Sequence, residues 1–331
     1  MGSNQLPLHV EIRNDYAPRL SQAAAWLRRL RLRCAAPDCA HRGRLWPPIL
    51  LQIRGVILNG RWFCTTDCLQ SHLMAHVRGL LAGSVRDRPR RHRLPLGLLL
   101  VNQGAISQQQ LRDALHSQSL SSGEKLGRVL CQMGAVAPGD VTTALAHQWG
   151  CPVYPLDPQS PALGCQDLLP LTLLESARAV PVYVSVDGRT LHLAFGEHLD
   201  HTTLYAVEQM LGCRTFACIA DEAAVAKVLE ELRRSAPVSE TSFDTMRDPR
   251  EIARTISNYA GEYRASRITV ARASAYLWVR FAASGQFSRD LLFRIRPGPD
   301  SPRSPSPSTP KVFPEAADSR GDSVPDAAES P

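Results

Sequence analysis

LGLLLVNQGAISQQQLRDALHSQ, residues 96–118, is followed by LGRVLCQMGAVAPGDVTTALAHQ, residues 126–148, and the two align without a gap. Eight of the 23 positions are identical: Leu96/Leu126, Gly97/Gly127, Leu100/Leu130, Gly104/Gly134, Ala105/Ala135, Ala114/Ala144, Leu115/Leu145 and Gln118/Gln148. A repeated unit dictates architecture, because each copy is one supersecondary piece that buries its apolar face against the other. In each copy Leu-Gly opens a short apolar helix, and the central glycine ends it where the chain must adopt positive φ. Ser107 is placed to cap the second helix of the first copy, and Pro138 stands at the first turn of the second helix of the other. Leu111, Ala114 and Leu115 match Val141, Ala144 and Leu145 as an i, i+3, i+4 stripe. The expectation is two helical hairpins, four short helices around one small core, over residues 94–150.

N-terminal to this lies a cysteine-bearing stretch. CAAPDC and CTTDC place Cys34, Cys39, Cys64 and Cys68 as two close pairs, the spacing that lets two knuckles close a tetrahedral thiolate shell around zinc. Between them RGVILNGRWF reads as a β-hairpin turning at Asn59-Gly60, and LQSHLMAHVRGLL after Cys68 reads as a helix. Four thiolates fill the coordination shell without His41, His72 or His76, so the zinc is expected to be structural. The bland alternative is four separate core cysteines. Residues 17–32 have helical apolar spacing, so residues 1–83 are expected to be a helix plus a treble-clef-like zinc module. SVRDRPRRHR makes 84–93 a basic linker.

Beyond the repeat, 151–166 is a Pro-rich connection. Residues 168–234 read in order as helix, strand, turn at Asp187-Gly188, strand, helix, strand, helix, giving an α/β sandwich-like unit over 151–234. His192 and His198 read as isolated histidines, and no nucleophile accompanies Glu197 or Asp200. Residues 235–246 read as a linker and 247–296 as a short helix followed by β-strands. Residues 297–331, rich in Pro, Ser, Asp and Ala, are expected to be a disordered tail. The fold class is therefore α+β and multidomain.

Composition narrows the function. The chain has 331 residues and a formal charge of +7. Residues 1–95 hold 16 Arg against 5 acidic groups, whereas 299–331 hold 3 basic and 6 acidic groups. Such a basic N-terminal portion suits nucleic acid, an anionic nucleotide or an acidic membrane surface, and equally a solvated surface in an Arg-biased genome. Trp46, Trp62 and Phe63 are the stacking groups near the cysteines, a weak nucleic-acid signal. No basic-then-apolar leader and no apolar run of about 18 residues is present, so the expected compartment is cytoplasmic. Nine cysteines, an odd number, argue against a disulfide scaffold.

The repeat resembles the N-terminal (MshE-type) domain of the type II secretion and type IV pilus assembly ATPases, the GspE/PilB family, in which a tandem Arg-Leu-Gly, Gly, Leu, Gln pattern binds cyclic di-GMP in some members. Lys125, Leu126, Gly127, Leu130, Gly134, Val136, Val141, Leu145 and Gln148, followed by GCPVYPL, carry the resemblance in the second copy. Leu96, Gly97, Leu100, Gly104, Ile106, Leu111, Leu115 and Gln118 carry it in the first. Two departures stand out: Pro95 occupies the Arg position, and the spacer SLSSGE is one residue longer than usual. Val180-Pro181-Val182, Asp187-Gly188 and Leu193-Ala194 extend the resemblance into the following unit. Residues 247–296 faintly resemble the entry to the ATPase half, with Ala283-Ser284-Gly285 at the turn.

The resemblance implies a cyclic di-GMP site drawn from Arg93, Leu96, Gly97, Gly104, Leu111, Gln118, Lys125, Leu126, Gly127, Arg128, Gly134, Val141 and Gln148. Arg93 or Arg128 would compensate for Pro95, because proline supplies neither charge nor donor and Lys125 lacks the planar guanidinium fork. No G-x-x-x-x-G-K-[ST] loop occurs in the chain. The expectation is a noncatalytic adaptor or sensor of a secretion, pilus or signalling machine, reaching the inner membrane only through a partner. A ligand-independent interaction module and a nucleic-acid binder acting through the basic zinc module are the alternatives.

Overall fold

The computed structural model describes residues 33–40, 55–82, 93–120, 123–157, 168–235, 240–244, 246, 248–283 and 288–295. The helix expected over 17–32, most of the basic linker, His41, Trp46 and the tail at 297–331 lie outside them. In chain order the elements are β1 (Val56–Leu58), β2 (Arg61–Phe63), α1 (Thr66–Ala82), α2 (Leu96–Asn102), α3 (Gln108–Leu120), α4 (Leu126–Gln132) and α5 (Pro138–Trp149). They continue with α6 (Leu171–Ala177), β3 (Ala179–Val184), β4 (Thr190–Phe195), α7 (His201–Leu211), β5 (Arg214–Ile219) and α8 (Glu222–Ser235). The last are β6 (Glu240–Phe243), α9 (Pro249–Glu262), β7 (Arg267–Ala273), β8 (Tyr276–Ala282) and β9 (Ser288–Arg294).

Two sheets organise the molecule. The larger runs β2-β1-β7-β8-β9-β6, the smaller β3-β4-β5. The larger sheet corrects the expected separation of 1–83 from 247–296. β1 pairs in parallel with β7, Ile57 opposite Arg267 and Leu58 opposite Ile268, so the cysteine hairpin and the C-terminal strands form one sheet. Asn59 makes the join. With Asn59 at φ 45° and Gly60 at φ 79° the hairpin turns tightly, in the primed geometry that suits Asn-Gly. The Asn59 side chain then continues the ladder: its Oδ1 accepts from Val270 N at 2.9 Å and its Nδ2 donates to Val270 O at 3.2 Å. A polar side chain thereby stands in for one more residue of backbone pairing.

The expected linker at 235–246 is corrected as well, since it contains β6, an edge strand running parallel to β9. Its sequence ETSF concealed it. A half-exposed edge strand needs no apolar alternation, and Phe243, stacked on Phe293 at 4.9 Å, is its sole large apolar anchor.

Alternation in β7, β8 and β9 sends side chains to two cores. Ile268, Val270, Leu277, Val279, Phe281, Leu291 and Phe293 face α1 and α9. Ala271, Ala273, Trp278 and Leu292 face the opposite way and join the core of the smaller sheet. There α7 lies against β7 and β5, and the Gln209 side-chain amide anchors it by donating from Nε2 to Val270 O at 3.2 Å. The second core also covers the one buried ion pair among the described residues. Asp290, 6% exposed, accepts from Trp278 Nε1 at 2.9 Å and from Arg280 Nε at 2.8 Å, and its other oxygen takes Arg280 Nη2 at 2.7 Å. Arg280 also donates to Leu168 O, tying the larger sheet to the entrance of α6.

The order helix, strand, turn, strand, helix, strand, helix is found over α6 to α8. Asp200 caps α7 by accepting from Thr202 N at 2.9 Å, and Asp221 does the same for α8 through Ala224 N at 2.9 Å. The connection after the repeat also participates, with Val153 bridging Ile219 in parallel. No helix among the described residues is long and apolar enough to cross a membrane.

Candidate functional site

The cysteine cluster assembles from three local structures. Cys34 and Cys39 flank a turn whose Ala35 N donates to Trp62 O at 2.9 Å, pinning the first knuckle to β2. Cys64 follows β2 directly, and Cys68 lies in the first turn of α1, its N donating to Thr65 Oγ1. The four Sγ atoms lie within 4.8 Å of one another, with Cys39 and Cys64 at 3.5 Å and Cys64 and Cys68 at 4.0 Å. A tetrahedral zinc with Zn–S bonds of about 2.3 Å sets its sulfurs about 3.8 Å apart, so these positions fit the ion. Burial foremost, then hydrogen bonding with the neighbouring thiols of Cys39 and Cys34, pushes the Cys64 thiol well above its ordinary range, and burial raises Cys68. A divalent cation would reverse that balance and hold all four as thiolates.

Cys34, Cys39 and Cys64 are buried in one core with Phe63, Leu69 and Leu73, and Cys68 is half-buried at its margin. The histidines have other duties. His72 packs its ring on Phe63 at 4.9 Å, and His76 Nε2 accepts from Asn59 Nδ2 at 2.9 Å.

The repeat folds as two hairpins that exchange partners. α2 packs on α5 and α3 on α4, so the first helix of each copy lies on the second helix of the other. Leu100/Leu130, Ile106/Val136 and Ala114/Ala144 fill the shared core as matched pairs. The closing glutamines obey the same pseudo-twofold. Gln118 Nε2 donates to Glu124 O at 2.8 Å and Gln148 Nε2 to Leu94 O at 2.7 Å, in each case the carbonyl two residues before the Leu-Gly of the other copy. Gly97 and Gly127 sit at the crossing. A methyl added at Gly97 would lie 2.5 Å from Leu111 Cδ1 and 3.1 Å from Leu126 Cδ2; one at Gly127 would lie 2.9 Å from Val141 Cγ1 and 3.5 Å from Leu96 Cδ2. Leu96, Gly97, Leu111, Leu126, Gly127 and Val141 are thus brought together.

Gly104 and Gly134, at φ 72° and 66°, end α2 and α4. Ser107 caps α3 in a reciprocal box: Gln110 N donates to Ser107 Oγ at 3.1 Å, and Ser107 N to Gln110 Oε1 at 2.8 Å. Leu115 departs from the expected stripe, being 40% exposed.

The cations are placed differently from what phosphate recognition alone requires. Lys125 forms an ion pair with Glu197, a carboxylate only 12% exposed, and Arg128 Nη2 meets Glu222 Oε1 at 2.6 Å. Both acids belong to the α/β unit, so these cations tie the repeat to it. Arg93 stacks its guanidinium 3.4 Å over the Trp149 ring at the end of α5. Glu222 and Trp149 were not singled out from sequence, and Glu197 was read only as an acid without an accompanying nucleophile.

No family model matches the chain. The chain is 29% identical over 138 residues to the type IV pilus assembly ATPase PilB of Myxococcus xanthus (strain DK1622), a match covering 41% of this chain and 23% of that protein. Among solved structures it is similar to one described as MshE with cdg, at 28% identity and TM-score 0.36, covering 42% of this chain and 99% of the other. It is also similar to the N-terminal domain of XpsE, at 17% identity and TM-score 0.29, covering 41% and 91% of the two chains. The chain therefore spans 23% of the length of the pilus ATPase it matches, and the sequence similarity to that protein extends over 138 residues.

Proposed function

We propose that the chain is a noncatalytic adaptor or sensor whose duplicated module, of MshE type, binds cyclic di-GMP and docks a protein of a secretion or pilus machine on the cytoplasmic side of the inner membrane. The observation that carries this is the reciprocal clamp. Gln118 and Gln148 close each copy onto the start of the other, creating two equivalent faces about a pseudo-twofold axis. A cyclic dinucleotide is itself two-fold symmetric and suits a receiver of that symmetry. Leu96, Leu126, Leu111 and Val141 would meet its purines, with Gly104 and Gly134 framing the ends of α2 and α4. Lys125, Arg128 and Arg93 would meet its phosphates. The four cysteines hold a structural zinc.

Titration of the full chain with cyclic di-GMP by calorimetry tests this. Saturable binding with micromolar affinity, weakened at least tenfold by Gln118→Ala or Gln148→Ala, is expected, since each removes a hydrogen bond of about 1 kcal/mol plus the order it imposes. No saturable binding overturns the reading.

Two observations favour a second reading, a ligand-independent docking module. Lys125 and Arg128 already have carboxylate partners, and Pro95 replaces the guanidinium expected in the first copy. On this reading a stable protein partner is retained in a pull-down without nucleotide, and Glu197→Gln leaves its retention unchanged.

A further inference from the structure

The smaller sheet carries a feature unconnected with the repeat or the cysteines. Tyr183 of β3 lies opposite His192 of β4, which in turn lies opposite Phe216 of β5. The three rings form one row across the whole sheet: Tyr183 meets His192 edge-on at 5.3 Å, and His192 stacks with Phe216 at 5.3 Å and 27°. They face outward, for Leu191, Leu193 and Phe195 point the other way into the core. Tyr183 is 48% and Phe216 54% exposed, an unusual amount of aromatic surface to leave wet on one face. The ring contacts stabilise the sheet, and the ring surface left exposed beside them is an aromatic patch open to a ligand.

The chemistry around the row is specific. Arg214 lies two residues before Phe216 on β5 and therefore on the same face; it is exposed and makes no side-chain ion pair or hydrogen bond among the described residues. Arg189, at the β3–β4 turn, is only 3.9 Å from Asp187, a weak contact at a surface. Ser185, Thr190, His192, Arg214 and Phe216 line one shallow depression together with Glu208 and Thr215. Glu208 is already committed there, accepting from both Thr215 N and Oγ1 at 2.9 Å, and Asp187 is held by Ser185 Oγ and Arg189 N. What remains for a ligand is an aromatic row edged by the exposed Arg214 and the weakly paired Arg189.

We propose that the row Tyr183, His192 and Phe216 is a stacking platform for single-stranded nucleic acid, with Arg214 and Arg189 receiving its phosphates. A row crossing three strands spans about 10 Å, longer than one base, which favours a strand over a free nucleotide. Aromatic faces accept any base, so little sequence preference is expected. Tyr183 and Phe216 are the two outer rings of the row because β3 and β5 flank β4, and each offers an end stacking position. A protein carrying +7 overall draws such a polyanion toward it.

Fluorescence anisotropy with labelled single-stranded RNA and DNA of about twelve nucleotides, added to the full chain, tests the proposal. Saturable binding that weakens with salt is expected for at least one of the two. Phe216→Ala and Tyr183→Ala each lower affinity roughly tenfold, the effect of losing one stacked base, while Phe216→Trp retains it and guards against a folding artefact. Arg214→Gln reduces the salt slope by about one. Five results would overturn the proposal: no binding at all; equal affinity for the duplex of the same sequence; equal affinity for a nucleoside monophosphate; binding indifferent to Phe216→Ala and Tyr183→Ala but lost in Arg61→Glu; and self-association abolished by Phe216→Ala without oligonucleotide binding, which would make a second copy the occupant.

Discussion

Gly97 shows how one residue serves the repeat. An added methyl would enter the space of Leu111 and Leu126, and although Leu111 Cδ1 is a movable side-chain end, Leu126 closes the other side. Alanine gains about 1 kcal/mol of helix propensity there, while overpacking costs about 1–3 kcal/mol, so Gly97→Ala is expected to destabilise by roughly 1 kcal/mol in a denaturant melt. His76 offers a second handle. Burial foremost, then the charges of His72 and Arg61, holds its imidazole below the usual range, and its neutral Nε2 accepts from Asn59. A depressed folded value means that the unfolded chain takes up the proton first. Stability is therefore fully present above the unfolded value of about 6.5 and declines as pH falls through it toward the folded one. Thermal melts across that window should show the decline, and His76→Gln should flatten it. At this scale the chemistry of Cys34, Cys39, Cys64 and Cys68 was legible, because pair spacing alone brings sulfurs within reach of one ion. The partners of Lys125 and Arg128 were not legible, since Glu197 and Glu222 reach them through packing between units that no local pattern encodes.

Elements whose cues were local could be read directly. Gly104 and Gly134 as terminators, the Ser107 cap and the Asn59-Gly60 turn each depend on a few consecutive residues, and each adopts the expected form. β6 was hidden for the complementary reason: an edge strand exposed on both faces has no period to betray it. The cross-strand pair Arg280–Asp290 was also invisible, being a matter of register between β8 and β9. Breaking it is expected to be costly. Arg280→Ala leaves Asp290 buried with only Trp278 Nε1 as donor, and a loss of about 3–5 kcal/mol follows. Arg280→Met with Asp290→Leu should recover part of that in the same urea melts, because no charge stays buried although Trp278 Nε1 and Leu168 O lose their partners.

At the scale of the whole molecule the cysteine cluster is more than a local staple, since it shares a core with α9, β7 and β8. Purified folded protein is expected to release about one zinc per chain to a colorimetric chelator, and Cys39→Ser to release none. Losing the metal removes several kcal/mol of folding energy, so the melting temperature should drop by roughly ten degrees or more on chelation. The unity of that core was the part least accessible from composition, for a Pro- and Arg-rich segment and the entire repeat stand between its halves. β1 and β7 are joined edge to edge although about two hundred residues of chain separate Leu58 from Ile268. During synthesis the cysteine hairpin therefore leaves the ribosome with an unpaired edge, and it must wait for most of the chain to be translated before its neighbouring strand arrives. Early capture of the metal would hold the hairpin in shape throughout that delay, guarding the exposed edge against pairing with another nascent chain.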